Sequence, residues 1–300
     1  MKRILPLLLV LVLLAGCAAP KKEHKALTED LAGNPITTPE KIERAIVLAP
    51  SIAEMLEDLG EKERIIAVDP YAQDLGFGKG LPTFDMMKPD VEGILAMKPD
   101  VVLITGMTSA KGQDPYAPLR DAGVCVAVIP TAEKMEDIET SLTFLGDLFG
   151  EEEKAEEMRS AFHDKVEAFR KKSASVAEED RPRVYFEIAA APKMYSFGKG
   201  TFLDEMVTLV GGKNVLENAQ GWTAVNEESL VASNPQIIVT TVDYVENPVE
   251  EMLGRPTFAS MDAVKNQRVY KLQDPHFNLP TPRSVEAMEE LGHLISPDLF

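Results

Sequence analysis

The sequence predicts an α/β protein of two lobes, each built on a parallel sheet, joined by one long interlobe helix. Three observations predict it. Short β-branched and apolar runs alternate with helix-patterned stretches, the order that produces parallel sheets. A charged stretch without Gly or Pro fills residues 151–172, midway along the 300-residue chain. A pattern at residues 92–105 recurs at 228–241, on the other side of that stretch.

At the N-terminus, Lys2 and Arg3 precede the apolar run 4–14, and the small residues Ala15 and Gly16 precede Cys17. That is the layout of an export signal. The run falls short of the roughly 20 residues that span a bilayer, so a permanent transmembrane helix is the weaker reading. Leu14-Ala15-Gly16-Cys17 resembles the bacterial lipobox, which implies that residues 1–17 are a lipoprotein signal with its lipobox and that Cys17 becomes the lipidated first residue of the mature protein. The chain is then extracytoplasmic and lipid-anchored to the cell membrane, touching it through that anchor only. The bland alternative is a cleaved signal whose cysteine has no role. Residues 18–40 read as a tether, polar and lysine-rich over 18–30 with no apolar period.

The N-terminal lobe is expected over 41–150. Strands are predicted at 45–48, 64–68, 101–105 and 124–129. Pro50 and Ser51 open a helix over 52–59 that Gly60 ends, and Ser51 to Glu54 spells a capping box. Residues 135–149 carry Ile138, Leu142, Leu145 and Phe149 on one helical stripe. Cys125 is the only cysteine after Cys17 and falls inside an apolar strand, which predicts a buried structural thiol and no intrachain disulfide.

The interlobe helix is expected over 151–176, with Ala155, Met158, Ala161, Phe162, Val166 and Phe169 on one face. The C-terminal lobe follows over 182–300. Its segment 228–241 aligns without gaps on 92–105, a short helix stopped by Pro99 or Pro235 and then a buried strand. Units of this kind recur by chance, so the repeat supports duplication without carrying it alone.

A formal net charge of −18 at pH 7 argues against nucleic acid, which demands a basic face. Only four histidines are present, too few for the convergent ligand set of a free zinc or manganese carrier. No Gly-x-Ser-x-Gly elbow and no Walker motif occur; Gly198-Lys199-Gly200 lacks the required spacing and reads as a glycine turn.

From residue 42 to 300 the chain resembles the helical-backbone solute-binding proteins for cobalamin, ferric siderophores and haem. The motifs that carry the resemblance are Val47-Leu48-Ala49-Pro50-Ser51-Ile52-Ala53-Glu54, Val91-Glu92-Gly93-Ile94-Leu95-Ala96-Met97-Lys98-Pro99-Asp100, Gly211-Gly212-Lys213-Asn214-Val215, Val264-Lys265-Asn266-Gln267-Arg268-Val269-Tyr270 and Thr281-Pro282-Arg283. The resemblance implies a ligand cleft between the lobes, limited closure, no catalysis and no cofactor. It implies an ABC importer as partner, a permease dimer with its ATPase subunits. It also implies that Glu92 and Glu228, one on each lobe, meet permease arginines. The bland reading of both is a first-turn carboxylate behind the N-caps Asp90 and Asn226.

Open α/β sheets bind ligands beyond the carboxyl ends of their strands, which selects Ser51, Tyr71, Met107, Tyr195, Asp243 and Tyr244. Met86, Met87 and Trp222 sit on the loops before the two repeated helices. Trp222 falls where the resembled family often stacks an aromatic on its ligand, although an ordinary packing anchor is the alternative. Some haem-binding relatives ligate iron with a methionine at the Met87 position, but their second-lobe histidine aligns with Asp243 here. His276 is the remaining candidate to replace it, against the plainer reading of a hydrogen-bonded loop histidine. The cleft loops offer few cations for an anionic chelate, chiefly Lys199, Arg255 and Arg283, so a near-neutral corrinoid is preferred to a ferric siderophore or haem. The Thr-Pro-Arg element leaves a structural role open for Arg283. A haem-binding protein of the same fold is the second reading, and a two-lobed enzyme that handles metal chelates is the third.

Overall fold

Two four-stranded parallel sheets carry the molecule, of which the computed structural model describes residues 26–109 and 114–300. The export signal, Cys17 and residues 18–25 lie outside the described residues. The N-terminal lobe contains β1 (Ala45–Val47), α1 (Pro50–Leu59), β2 (Ile65–Val68), α2 (Pro70–Asp74), α3 (Val91–Ala96), β3 (Val101–Ile104), α4 (Ala117–Asp121) and β4 (Cys125–Val128). Next come α5 (Met135–Phe149) and α6 (Glu152–Ser173). The C-terminal lobe contains β5 (Arg183–Glu187), β6 (Tyr195–Phe197), α7 (Phe202–Leu209), β7 (Lys213–Asn214), β8 (Trp222–Ala224), α8 (Glu227–Ser233), β9 (Ile237–Thr240), α9 (Pro248–Leu253), α10 (Asp262–Lys265), β10 (Val269–Lys271) and α11 (Ser284–Ile295).

The strands are apolar on both faces because both faces are covered. Ala45, Val47, Val101, Leu103, Cys125 and Ala127 join one core of the N-terminal lobe, while Ile46, Val102, Ile104, Val126 and Val128 join the other. The second lobe divides in the same way, with Val184, Phe186, Ile237 and Val239 on one side and Tyr185 and Ile238 on the other. Burial pushes the Cys125 thiol up to about 11, so it stays protonated and behaves as a small core side chain.

The repeat is structural as well as sequential. The sheet orders are β2-β1-β3-β4 and, from the matching edge, β7-β5-β9-β10, so both lobes read second-first-third-fourth by chain order. Lys98 and Asn234, each directly before a proline, both take left-handed backbone with φ of 48° and 45°. Arg44 donates to the carbonyls of Met97 and Lys98 as Arg183 donates to that of Asn234. Asp100 and Gln236, also equivalent, accept from the backbone of Arg44 and Arg183.

Three expectations need correction. First, the long helix does not join the lobes alone. Met135 and Ile138 of α5 pack into the core of the C-terminal lobe, whereas Leu142, Leu145 and Phe149 pack into that of the N-terminal lobe; α6 places Ala155 in the latter and Phe162, Val166 and Phe169 in the former. The connection is a helical hairpin, so closely packed that a Cβ on Gly146 would lie 2.3 Å from that of Ala155. Second, the tether cannot run to residue 40. Leu27, Leu31 and Ile36 pack on the N-terminal core, and buried Asp30 accepts from Val128 N at 2.8 Å. Third, Ser51 to Glu54 forms no capping box. The N-cap is Ala49, without a side-chain cap, and Pro50 already begins the helix. A proline at N1 supplies the start there, because its missing N–H has no intrahelical partner to lose.

Candidate functional site

The strands of both lobes point their carboxyl ends toward a shared cleft, and a pocket of about 300 Å³ opens at its base. Its N-terminal wall is the end of β1 and the first turns of α1, with Leu48, Pro50, Ser51, Ile52 and Met55. Tyr71, Met86, Thr105 and Met107 line the mouth, and Ile129 to Ala132 with Ser141 form the side toward α5. Asn278, Leu279 and Pro280 close the pocket from the C-terminal lobe. Four of the residues expected from sequence, Ser51, Tyr71, Met86 and Met107, therefore meet in one cavity.

Local bonds hold these side chains in place. The Asp69 carboxylate caps α2 by accepting from Tyr71 N at 2.8 Å, which sets Tyr71 at the start of the helix. Burial, with the Asp243 carboxylate of the other lobe second, pushes the Tyr71 phenol up, so it stays protonated and can donate. Thr105 Oγ1 approaches Met86 Sδ at 3.4 Å, and Tyr116 donates its hydroxyl to the Met86 carbonyl at 2.7 Å. Met87 is half-exposed beside them, its N–H tied to Asp85.

The opposing face belongs to the C-terminal lobe. β6 pairs antiparallel with β8, with Tyr195 opposite Ala224 and Phe197 opposite Trp222. These four positions share one face of the ribbon. Phe197 is buried and meets the Trp222 ring edge-on at 6.0 Å, leaving the indole 44% exposed. The Tyr244 hydroxyl accepts from Ala190 N at 2.8 Å, and so leans over the loop that leads into Tyr195. Among the described residues the exposed large hydrophobics are Tyr71, Met87, Met107, Tyr195, Trp222, Tyr244 and Leu253. All but Leu253 are candidates chosen from sequence for the cleft.

The two candidate arginines of the cleft are already engaged. Arg255 is buried against Glu187, at 2.8 and 2.9 Å, and also pairs with Glu251. Arg283 pairs with Asp58 at 2.6 Å. Lys199 alone of the three has no ion pair among the described residues. An anionic chelate would find no free arginine in this set.

His276 does not reach the pocket as a free ligand. Its Nε2 lies 2.8 Å from Glu54 Oε1 and its Nδ1 2.6 Å from Asp274 Oδ1. With a carboxylate at each nitrogen both must donate, which is the charged imidazolium and leaves no lone pair for a metal. Asp274, His276 and Glu286 bring possible ligand atoms within 4.8 Å of one another, but His276 already spends both nitrogens on Glu54 and Asp274. Sequence reasoning missed Glu54 and the segment 278–280 as parts of this region. No local signal marks them: Glu54 meets His276 from 222 residues away, and 278–280 meet the pocket residues of the other lobe only in the fold.

Glu92 and Glu228 occupy the positions expected of them, exposed in the first turns of α3 and α8. Asp90 accepts from Gly93 N at 3.0 Å and Asn226 from Ser229 N at 3.1 Å, so both N-caps are formed. Neither glutamate has a hydrogen-bond or ion-pair partner among the described residues.

A family model described as periplasmic binding protein matches residues 46–275. An uncharacterized ABC transporter substrate-binding lipoprotein of Bacillus subtilis (strain 168) is 30% identical over 308 aligned residues, covering 98% of this chain and 96% of its own. A cobalamin-binding protein of Halobacterium salinarum is 24% identical, over 93% of this chain and 74% of its own. Among solved structures, a possible iron-binding periplasmic solute-binding protein of Staphylococcus epidermidis ATCC 12228 superposes with a TM-score of 0.71 at 29% identity, covering 85% of this chain and 99% of that one.

Proposed function

The chain belongs to the periplasmic binding protein family, and on that premise we propose that its cleft carries a large, near-neutral metal chelate, a corrinoid ahead of an iron complex. Its role is that of the substrate-binding component of an ABC importer, working outside the cytoplasm and catalysing nothing. One observation supports the ligand class above the rest. Six aromatic and methionine side chains chosen from sequence for the cleft are exposed, two of them, Tyr71 and Met107, in the pocket lining, and a protein gains nothing by showing such side chains to water. A broad ligand with apolar faces would cover them. The engaged state of Arg255 and Arg283 weighs against a strongly anionic cargo, and the likeness to a cobalamin-binding protein agrees.

Haem is the second reading, favoured by the exposed Met87 thioether. His276 cannot serve as its axial partner from the C-terminal lobe, since Glu54 and Asp274 hold both ring nitrogens. Titrating the soluble domain with cyanocobalamin, haemin and a panel of ferric siderophores, followed by calorimetry and visible spectra, separates these cargoes. Tight binding of haemin or a siderophore with no heat from cyanocobalamin overturns the corrinoid reading.

Delivery would use Glu92 and Glu228 as matching grips for a permease dimer, and Cys17 would keep the protein at the membrane through its lipid. Cys17→Ser should release the protein from the membrane fraction and remove the lipid mass. Unchanged fractionation with no mass difference would count against the anchor.

A further inference from the structure

The pocket wall supplied by the C-terminal lobe is a strap, fastened at both ends to the other lobe. Phe277 is fully buried in the C-terminal core, beside Phe186, and roots the strap there. At one end His276 reaches Glu54 of α1 at 2.8 Å; at the other Arg283 makes a two-pronged contact with Asp58 of α1, at 2.6 and 3.1 Å. Between the fastenings lie Asn278, Leu279 and Pro280, the residues that close the pocket. The opposite wall, Ser51, Ile52 and Met55, stands on the same helix α1 that carries Glu54 and Asp58. Both walls of the pocket's base are therefore tied to one element.

We propose that Glu54, Asp58, His276 and Arg283 form a cross-lobe clamp that holds the strap against α1 as the back wall of the pocket, and that the clamp loosens when His276 loses its proton. The inference rests on the cleft being the ligand site. The four are positioning residues, acting on the ligand through Asn278, Leu279 and Pro280.

The charges facing His276 agree on the direction. Glu54 stands on α1 with a side chain only 3% exposed, Asp274 in the strap's own turn, and Glu286 on α11; the Arg283 guanidinium lies 3.4 Å from the same Glu54 oxygen. Glu54 Oε2 is buried with no partner among the described residues, so this carboxylate depends on His276 and Arg283 for compensation. The hydrogen bond to Glu54 is the largest cause holding the imidazolium above its ordinary range; burial opposes it, and Asp274 adds to it. A group whose folded pKa is raised contributes fully below its ordinary value of about 6.5 and loses that contribution as pH rises through the raised value. The strap is thus held most firmly in mildly acid surroundings and least at alkaline pH.

Hydrogen exchange of the ligand-free protein tests this without knowledge of the cargo, with rates corrected for the intrinsic effect of pH. In Asp58→Arg and in Arg283→Asp, the amides of Phe277, Asn278 and Leu279 should exchange several-fold to about tenfold faster, while those of β9 keep their protection. The double swap Asp58→Arg/Arg283→Asp should restore the strap. In the unaltered protein strap protection should fall between pH 6 and 9, and in His276→Gln that pH dependence should vanish. Strap protection unchanged in the single swaps, no recovery in the double swap, or a pH profile surviving in His276→Gln each overturns the clamp. Cyanocobalamin titrated into the same set reports separately: absence of binding by the unaltered protein strikes the corrinoid reading, whereas unaltered affinity in variants with a loosened strap strikes the claim that the strap shapes the site.

Discussion

Trp222 is nearly half exposed while its ring makes an edge-to-face contact with buried Phe197, so the ring is held by the protein and still available to a ligand. A rigid aromatic presented in this way is the sort of side chain that dominates binding energy. Trp222→Ala should weaken binding of the chelate identified by titration by about 1 to 3 kcal/mol with little change in melting temperature. Calorimetry checks it, and an unchanged dissociation constant would remove Trp222 from the site. Its candidacy was legible because it stands before a repeated helix in a chain with a single tryptophan. Tyr71, Met107, Tyr195 and Tyr244 were chosen for a related reason, that strand ends face the cleft in open α/β sheets, and of these Tyr71 and Met107 line the pocket. His276 was legible as a residue but not in its role. Whether a loop histidine meets a ligand or a carboxylate depends on what the fold brings to it, and Glu54 comes from 222 residues away.

Among the elements, the buried strands and Cys125 declared themselves through runs of apolar residues, and α5 ends where the sequence puts it. A helical stripe shows that a face is covered, however, and not which core covers it. That is why α5 looked like part of one lobe when its two halves serve different lobes. The segment 26–36 was misread for the opposite reason: Leu27, Leu31 and Ile36 follow no period, and irregular chain packed on a core has the composition of a linker. The hairpin makes a prediction whose sign decides between two effects. Replacing a helical glycine by alanine ordinarily gains up to about 1 kcal/mol. At Gly146 the new Cβ would lie 2.3 Å from that of Ala155 and 3.3 Å from the Glu151 carbonyl. Overpacking of that kind costs about 1 to 3 kcal/mol, so Gly146→Ala should lower stability on balance. Adding Ala155→Gly should recover part of the loss, because the close approach tolerates one Cβ and not two. Denaturant midpoints check both, and a Gly146→Ala protein more stable than the unaltered one would show that the helices part easily.

At the scale of the whole molecule the repeated lobe explains more than the topology. Because both lobes use the same strand order, and a capped helix precedes the third strand in each, Glu92 and Glu228 are equivalent points of a two-lobed surface. A partner assembled from two like subunits could meet both in the same way. The chain's net charge of −18 adds a long-range attraction toward a basic partner. Exposed ion pairs are individually weak, about 0 to 1 kcal/mol, but pairs sheltered within an interface can be worth more, and reversing a charge adds repulsion to the loss of attraction. Glu92→Lys/Glu228→Lys should therefore depress uptake sharply in reconstituted membranes while chelate affinity stays unchanged. The competing account gives each glutamate only its favourable place at a helix N-terminus, worth about 0.3 to 1 kcal/mol. On that account the double variant loses some stability, and transport falls only in proportion to the folded protein remaining. Melting temperature, chelate affinity and uptake measured on the same preparation distinguish the two. The N-caps Asp90 and Asn226 remain in place in the variant, so the helices keep their main terminal bonds, and normal uptake by a fully folded protein would defeat the docking role.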